Sequence, residues 1–194
     1  MGTRLGRVAD ALAGVLLPVA GRPGGRGRIG GVPPARHRTS AGILLHRSDP
    51  DGLRVLIAHM GGPLWARKDE RAWSIPKGEH GEDEAPWAAA RREFAEELGL
   101  PAPEGEPLDL GEVRQGSGKR VRCFAIAGDL DPDAIVPGTF TMAWPPRSGR
   151  TIEVPEVDRV AWLTLDEARP RLVAAQEAFL DRLVEALRGG GADA

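Results

Sequence analysis

Three glutamates, Glu93, Glu96 and Glu97, stand at i, i+3 and i+4, so on a helix their side chains are neighbours. Stability alone argues against this grouping. Like charges at that spacing repel by about 0.2–0.5 kcal/mol per pair. The three also lie just before Gly99, a natural left-handed stop, at the helix end whose dipole disfavours anions. A bound divalent cation reverses the sign of each of these terms. The chemistry on offer is that of a hard cation held by carboxylate oxygens. The plain alternative is a solvated helix laced by pairs such as Arg92–Glu96.

The surrounding pattern can position such a patch. A helix starting at Asp83 or Glu84 tolerates Pro86 in its first turn. At 100° per residue Trp87, Ala90, Phe94 and Leu98 share one face, which is the expected core face. The glutamates fall on another face. Ahead of the helix, residues 40–46 and 53–60 read as strands joined by a tight SDPDG turn, and residues 72–75 as a short strand. Behind it, residues 110–115 and 120–127 read as strands joined by a GSGK turn, and 158–163 as another. Residues 129–150, rich in proline, read as a long irregular stretch. Thr164–Glu167 has the form of a capping box, Pro170 breaks or restarts the helix it begins, and Leu172 to Leu187 follows helical spacing. Mixed strands with one helix between and one at the end indicate an α/β sandwich.

Gly78, then Glu84, then Arg92-Glu93-Phe94, Glu96-Glu97 and Gly99-Leu100 fill every fixed position of a known pattern. The segment Gly78–Leu100 resembles the Nudix box, and the lead-in WSIPKGE resembles that of the diadenosine tetraphosphate hydrolase branch, with MutT-like enzymes as the nearest rival. The looser likeness runs from about Ser40 to Leu187. The resemblance implies a Nudix-type α/β/α sandwich with a mixed sheet. It implies hydrolysis of a pyrophosphate bond in a nucleoside diphosphate linked to a further group. The first substrate it suggests is a dinucleoside polyphosphate, and the second a damaged nucleoside triphosphate. It further implies that Glu93, Glu96, Glu97 and the backbone carbonyl of Lys77 hold Mg²⁺ or Mn²⁺. Arg92 would steady the glutamates, and Glu84 would sit near the metal or support its loop. The metal would neutralise phosphate charge, orient the attacking water and lower its pKa.

The box leaves the general base open. Glu93 is one candidate, Glu153 and Glu156 in a Pro-flanked segment are others, and Glu112 is a weaker one. Specificity must come from outside the box. The stretch with Phe140, Trp144, Arg147 and Arg150 could stack a base and fork onto a phosphate. Trp65, Arg67 and Lys68 lie close upstream of the box, and Lys119 stands on a Gly-flanked turn. For each of these the alternative is simple packing or solvation.

Composition bounds the rest. The chain of 194 residues can bury one sizeable core. Cys123 is its one cysteine, which excludes an internal disulfide, and no Cys/His cluster in the sequence suggests zinc. Residues 1–40 carry +6 and the remainder −8, for a net −2. An acidic body argues against general nucleic-acid binding and suits a site that needs a metal to accept polyphosphate. The expected organisation is a flexible Arg/Gly/Pro-rich extension over 1–39, a Nudix hydrolase domain over 40–188 and a frayed tail over 189–194. The apolar run at residues 11–20 is too short to span a membrane and faintly resembles a secretory or transit sequence. A disordered tail or an over-extended start of translation is the simpler reading. The expected setting is the cytoplasm, with a small-molecule nucleotide as partner, no specific nucleic acid, no membrane and an open oligomeric state. Two rivals to the enzyme remain: a non-catalytic nucleotide-sensing Nudix domain, and a scaffold with a structural cation.

Overall fold

Residues 39–189 are described by the computed structural model; the extension expected ahead of Thr39 and the tail beyond Gly189 lie outside the described residues. β1 (Thr39–Asp49) and β2 (Gly52–Met60) form the expected hairpin, with His46 opposite Val55. Its turn needs Gly52, whose φ is 122°. β1 is the central strand of a seven-stranded sheet. It lies antiparallel to β2 on one side and parallel to β6 (Arg120–Ala127) on the other, and β6 pairs with β5 (Leu108–Arg114). The two-residue β3 (Trp73–Ser74) and the late β9 (Val157–Thr164) both pair with β2, and β4 (Lys77–Glu79) pairs with the start of β1. The sheet is therefore mixed, as the resemblance implies.

Both faces of the sheet are buried, which explains why β1 and β2 read as near-continuous apolar runs. Ala41, Ile43, Leu45, Leu56 and Ala58 face the box helix α1 (Pro86–Leu98), which packs Ala90, Phe94 and Leu98 against them, all fully buried. Leu44, Val55, Ile57, Val121 and Cys123 face the opposite layer, built from α2 (Leu165–Arg171) and α3 (Glu177–Gly189). This is the α/β/α sandwich.

Several local expectations need correction. α1 begins at Pro86, not at Asp83 or Glu84. Ala85 before it is extended (φ −60°, ψ 133°), as a residue preceding proline prefers, and Pro86 takes the first helical position. At the other end Gly99 is left-handed (φ 72°) and its N–H donates to the Ala95 carbonyl, as expected. The irregular stretch 129–150 holds a short 3₁₀ turn at Pro132–Ala134 and β7 (Thr139–Ala143), which pairs with β8 (Thr151–Pro155) in a separate two-stranded hairpin. Thr164 and Glu167 do form a reciprocal capping box, and α2 ends at Arg171, right after Pro170. Leu172 and Val173 are not helical. Leu172 bridges to Trp73, and the Val173 N–H donates to the Trp73 carbonyl at 2.9 Å. Helix resumes only after a 3₁₀ turn at Ala174–Gln176.

Candidate active site

The site is assembled where β4 runs under α1. β4 pairs through Lys77 and Gly78 with Gly42 and Ala41. Close approach is enforced by glycine on both strands. A Cβ on Gly42 would stand 2.5 Å from the Lys77 Cβ and the Pro76 carbonyl, and one on Gly78 would stand 1.9 Å from Glu93 Oε2. Glu93 is only 1% exposed, so it does not lie on an open face of α1 but is pressed between the helix and the β4 backbone. That correction matters, because a carboxylate so enclosed needs a fixed partner.

The partner is Arg92. Its guanidinium donates from Nε and Nη2 to the two oxygens of Glu84, each at 2.8 Å. From Nη1 it donates to Glu93 Oε1 at 2.5 Å and to Glu96 Oε1 at 3.4 Å, and from Nη2 to the Glu79 carbonyl at 3.3 Å. One planar fork thus fixes three carboxylates and the strand beneath them. The first cause of its pKa rise is the Glu84 hydrogen bond, followed after desolvation by Glu93.

Glu97 is anchored differently. Its Oε2 accepts from the Lys77 backbone N–H at 3.0 Å, which sets this carboxylate beside the Lys77 peptide group. Burial raises its pKa to about 8, against the opposing pull of the Lys77 ammonium and N–H. Burial likewise pushes the Lys77 ammonium down, helped by nearby Lys119. Lys119, 10% exposed, reaches Glu79 Oε1 at 3.3 Å.

These groups open on a single cleft. Glu93, Glu97, Lys77, Gly78, Glu79 and Lys119 line one part of it, and Trp65, Met60, Phe140 and Val157 give it an apolar wall. Glu156 lines it too, held by backbone bonds from Gly61 N–H to its carbonyl and from its own N–H to the Gly138 carbonyl, 3.0 and 2.9 Å. Glu96 stands on the rim, 38% exposed and outside the lining. Among the described residues no three acidic side chains close round one point. The donor set is nonetheless hard oxygen, and Mg²⁺ is commonly held by one or two carboxylates with waters and substrate phosphates completing its shell.

The other sequence candidates are scattered. Glu153 lies exposed on β8, hydrogen-bonded by the Thr139 hydroxyl, and Glu112 on β5 pairs with Arg120. Trp144 and Arg147 sit at the tip of the β7–β8 hairpin, and the exposed Arg67 and Lys68 in the loop after β2; all four lie outside the cleft lining. Glu79, although it closes the WSIPKGE lead-in, and Met60 carry no mark in the sequence of lining the cleft. Glu79 joins the site only because β4 pairs with β1, and Met60 only because β2 ends at the cleft.

The NUDIX domain family model matches residues 36–183. The chain is 41% identical over 66 residues to an RNA pyrophosphohydrolase of Pseudomonas putida, a match covering 31% of this chain and 42% of that protein. It is 43% identical over 58 residues to one from Pseudomonas fluorescens, covering 27% and 36%. The chain therefore spans less than half the length of these curated relatives. Among solved structures it is similar to a C. elegans Ap4A hydrolase binary complex, with a TM-score of 0.56, 18% identity and coverage of 78% of this chain and 98% of that one. It is also similar to the Nudix hydrolase RenU of M. smegmatis, with a TM-score of 0.50, 23% identity and coverage of 79% and 87%. Both likenesses are of fold.

Proposed function

Since the chain belongs to the NUDIX domain family, we propose that it hydrolyses a pyrophosphate bond in a nucleoside diphosphate-X substrate with the help of Mg²⁺ or Mn²⁺. The observation that carries this reading is the joining of Glu93, Gly78, Glu97 and the Lys77 backbone at one cleft, with Arg92 holding the carboxylates in place. Glu93, Glu97 and the Lys77 carbonyl would hold the cation, with Glu96 contributing from the rim. When bound, the cation would neutralise phosphate charge and favour ionisation of the attacking water.

The protein's own groups supply the rest. Lys119 presents an ammonium group at the cleft, fit to meet phosphate oxygens. Trp65 and Phe140 offer aromatic surface to the cleft, fit for a nucleobase. Of the candidate bases, Glu156 is the one we favour. It lines the cleft and its backbone is held on both sides, whereas Glu153 and Glu112 lie outside the lining. Glu93 is engaged by Arg92, which suits a positioned ligand better than a base.

A dinucleoside polyphosphate remains the leading substrate, supported by a cleft with cationic and aromatic walls and by the WSIPKGE lead-in. The partial likeness to RNA pyrophosphohydrolases favours a 5′-phosphorylated RNA end as the second reading. Among the described residues no helix is long and apolar enough to cross a membrane. The test is a panel of dinucleoside polyphosphates, nucleoside triphosphates, ADP-ribose and 5′-triphosphorylated RNA, assayed with Mg²⁺ and with Mn²⁺. Turnover of any of these supports the reading. Tight binding without turnover would instead favour a nucleotide sensor.

A further inference from the structure

Outside the box lies a histidine that the proposed chemistry does not use. His59, at the end of β2, is 0% exposed. Its Nδ1 lies 2.7 Å from Asp158 Oδ1 and its Nε2 lies 2.7 Å from the Lys68 carbonyl. A carboxylate and a carbonyl can only accept, so the ring must donate from both nitrogens, and only the imidazolium does so. The sheet is built to deliver this counter-ion. Pairing runs His59 with Arg159 and then Met60 with Val157, which leaves Asp158 as the extra residue of a β-bulge. Bulges re-aim a side chain beside a functional site.

We propose that His59, held as an imidazolium between Asp158 and the Lys68 carbonyl, is a positioning residue that fixes the aromatic wall of the cleft. The proposal rests on the reading that this cleft binds the substrate. Its connection to the cleft runs along two short paths. On one side, Lys68 closes a tightly wound loop in which the Lys68 N–H donates to the Trp65 carbonyl at 2.7 Å, and the Trp65 and Ala66 N–H groups donate to Gly62. Trp65 lines the cleft. On the other side, Asp158 directly follows Glu156 and Val157, which also line it. The imidazolium therefore ties the Trp65 loop to the segment carrying the favoured base.

The other charged groups around the ring sit on the elements that pack against it. Arg159 donates to Asp158 at 3.2 Å and its guanidinium lies over Trp73, whose ring meets His59 edge-on at 5.0 Å. Asp69 accepts from the Trp73 indole and from Arg171. The Lys68 ammonium stands over Trp65, 4.9 Å from the ring centroid. Asp158 is thus the carboxylate that meets the ring directly, although Arg159 shares it.

The test compares the wild type with Asp158→Asn, which keeps the shape, removes the counter-charge and can turn an amide N–H donor toward Nδ1, and with His59→Gln. Nitrogen-15 spectra of the ring should show both nitrogens protonated in the wild type at neutral pH and only one in Asp158→Asn. Amide hydrogen exchange at Trp65–Lys68 should be at least about tenfold faster in both variants. With diadenosine tetraphosphate and Mg²⁺, KM should rise about tenfold while kcat changes by less than about threefold. A neutral ring in the wild type, unchanged exchange in Asp158→Asn, or a loss confined to kcat would overturn the proposal. Wild type that hydrolyses nothing defeats the functional reading alone, because ring spectra and exchange still decide whether His59 is charged and anchors the loop.

Discussion

The carboxylate of Glu93 occupies the space that any side chain at residue 78 would need: a Cβ there would lie 1.9 Å from Glu93 Oε2 and 2.0 Å from its carboxyl carbon. The glycine that opens the box is thus required by contact, not by a turn. Gly78→Ala should displace the Glu93 carboxylate and lower kcat by about 10²-fold, in line with losses at groups that position metal ligands. The check is kcat together with a Mg²⁺ titration. Wild-type values for both would show that β4 can shift without disturbing the site.

Arg92 should resist even conservative replacement. A lysine cannot reproduce the two-point bond to Glu84 and still reach Glu93 and the Glu79 carbonyl. Arg92→Lys should destabilise the fold by roughly 3 kcal/mol, because the buried Glu93 loses the guanidinium hydrogen bond that shares its charge, which lowers Tm by roughly 6–12 °C. Thermal melts of metal-free protein measure this. A melting point within about 2 °C of the wild type would refute the role.

Glu97 makes the metal-free protein pH-sensitive. Its folded pKa, raised to about 8 by burial, lies above its ordinary value of 4.5. Between those values the folded state keeps a proton that the unfolded state has lost, so stability falls as pH rises from about 5 to 8 and then levels. Lys77, whose ammonium is pushed down, contributes in the opposite sense at higher pH. Tm measured against pH in EDTA should show the fall, and Glu97→Gln should flatten it. The same substitution should cost at least about 10²-fold in kcat, and Mg²⁺ affinity in the wild type should rise with pH as the carboxylate gives up its proton. A Tm that climbs from pH 5 to 8 would contradict the assignment.

The cleft and the hairpin tip should separate in kinetics. Lys119→Met removes a cation that lines the cleft and should raise KM about tenfold, whereas Arg147→Ala, at the exposed tip of β7–β8, should change it by less than about threefold for a mononucleotide substrate. Steady-state kinetics on both variants decide this. An equal penalty at Arg147 would mean that the substrate extends along the hairpin.

What could be read from the sequence follows from how far each signal reaches along the chain. The 3.6-residue period of Trp87, Ala90, Phe94 and Leu98 and the left-handed Gly99 are local, and the helix they describe is present with a start corrected by Pro86. The Arg92–Glu96 pair is likewise one helical turn apart. Glu93 as a buried group, Glu79 as a lining residue and the bulged Asp158 depend on strand pairing between distant segments, which no local spacing records. The β7–β8 hairpin was hidden for another reason. Its strands alternate half-buried and exposed residues, and the prolines around its tip masked the pattern.

The lead-in to the box has a consequence in time. Ser74 and Ile75 are fastened by Gln176, whose Oε1 accepts from the Ile75 N–H at 2.9 Å and whose Nε2 donates to Ser74 Oγ at 3.0 Å. Gln176 lies 101 residues after Ile75. A ribosome adding about 5–20 residues per second makes that partner roughly 5–20 s later. During synthesis the whole glutamate patch therefore exists before the residue that sets its entrance strand, and a nascent chain can hold its acidic box without yet holding a finished cleft.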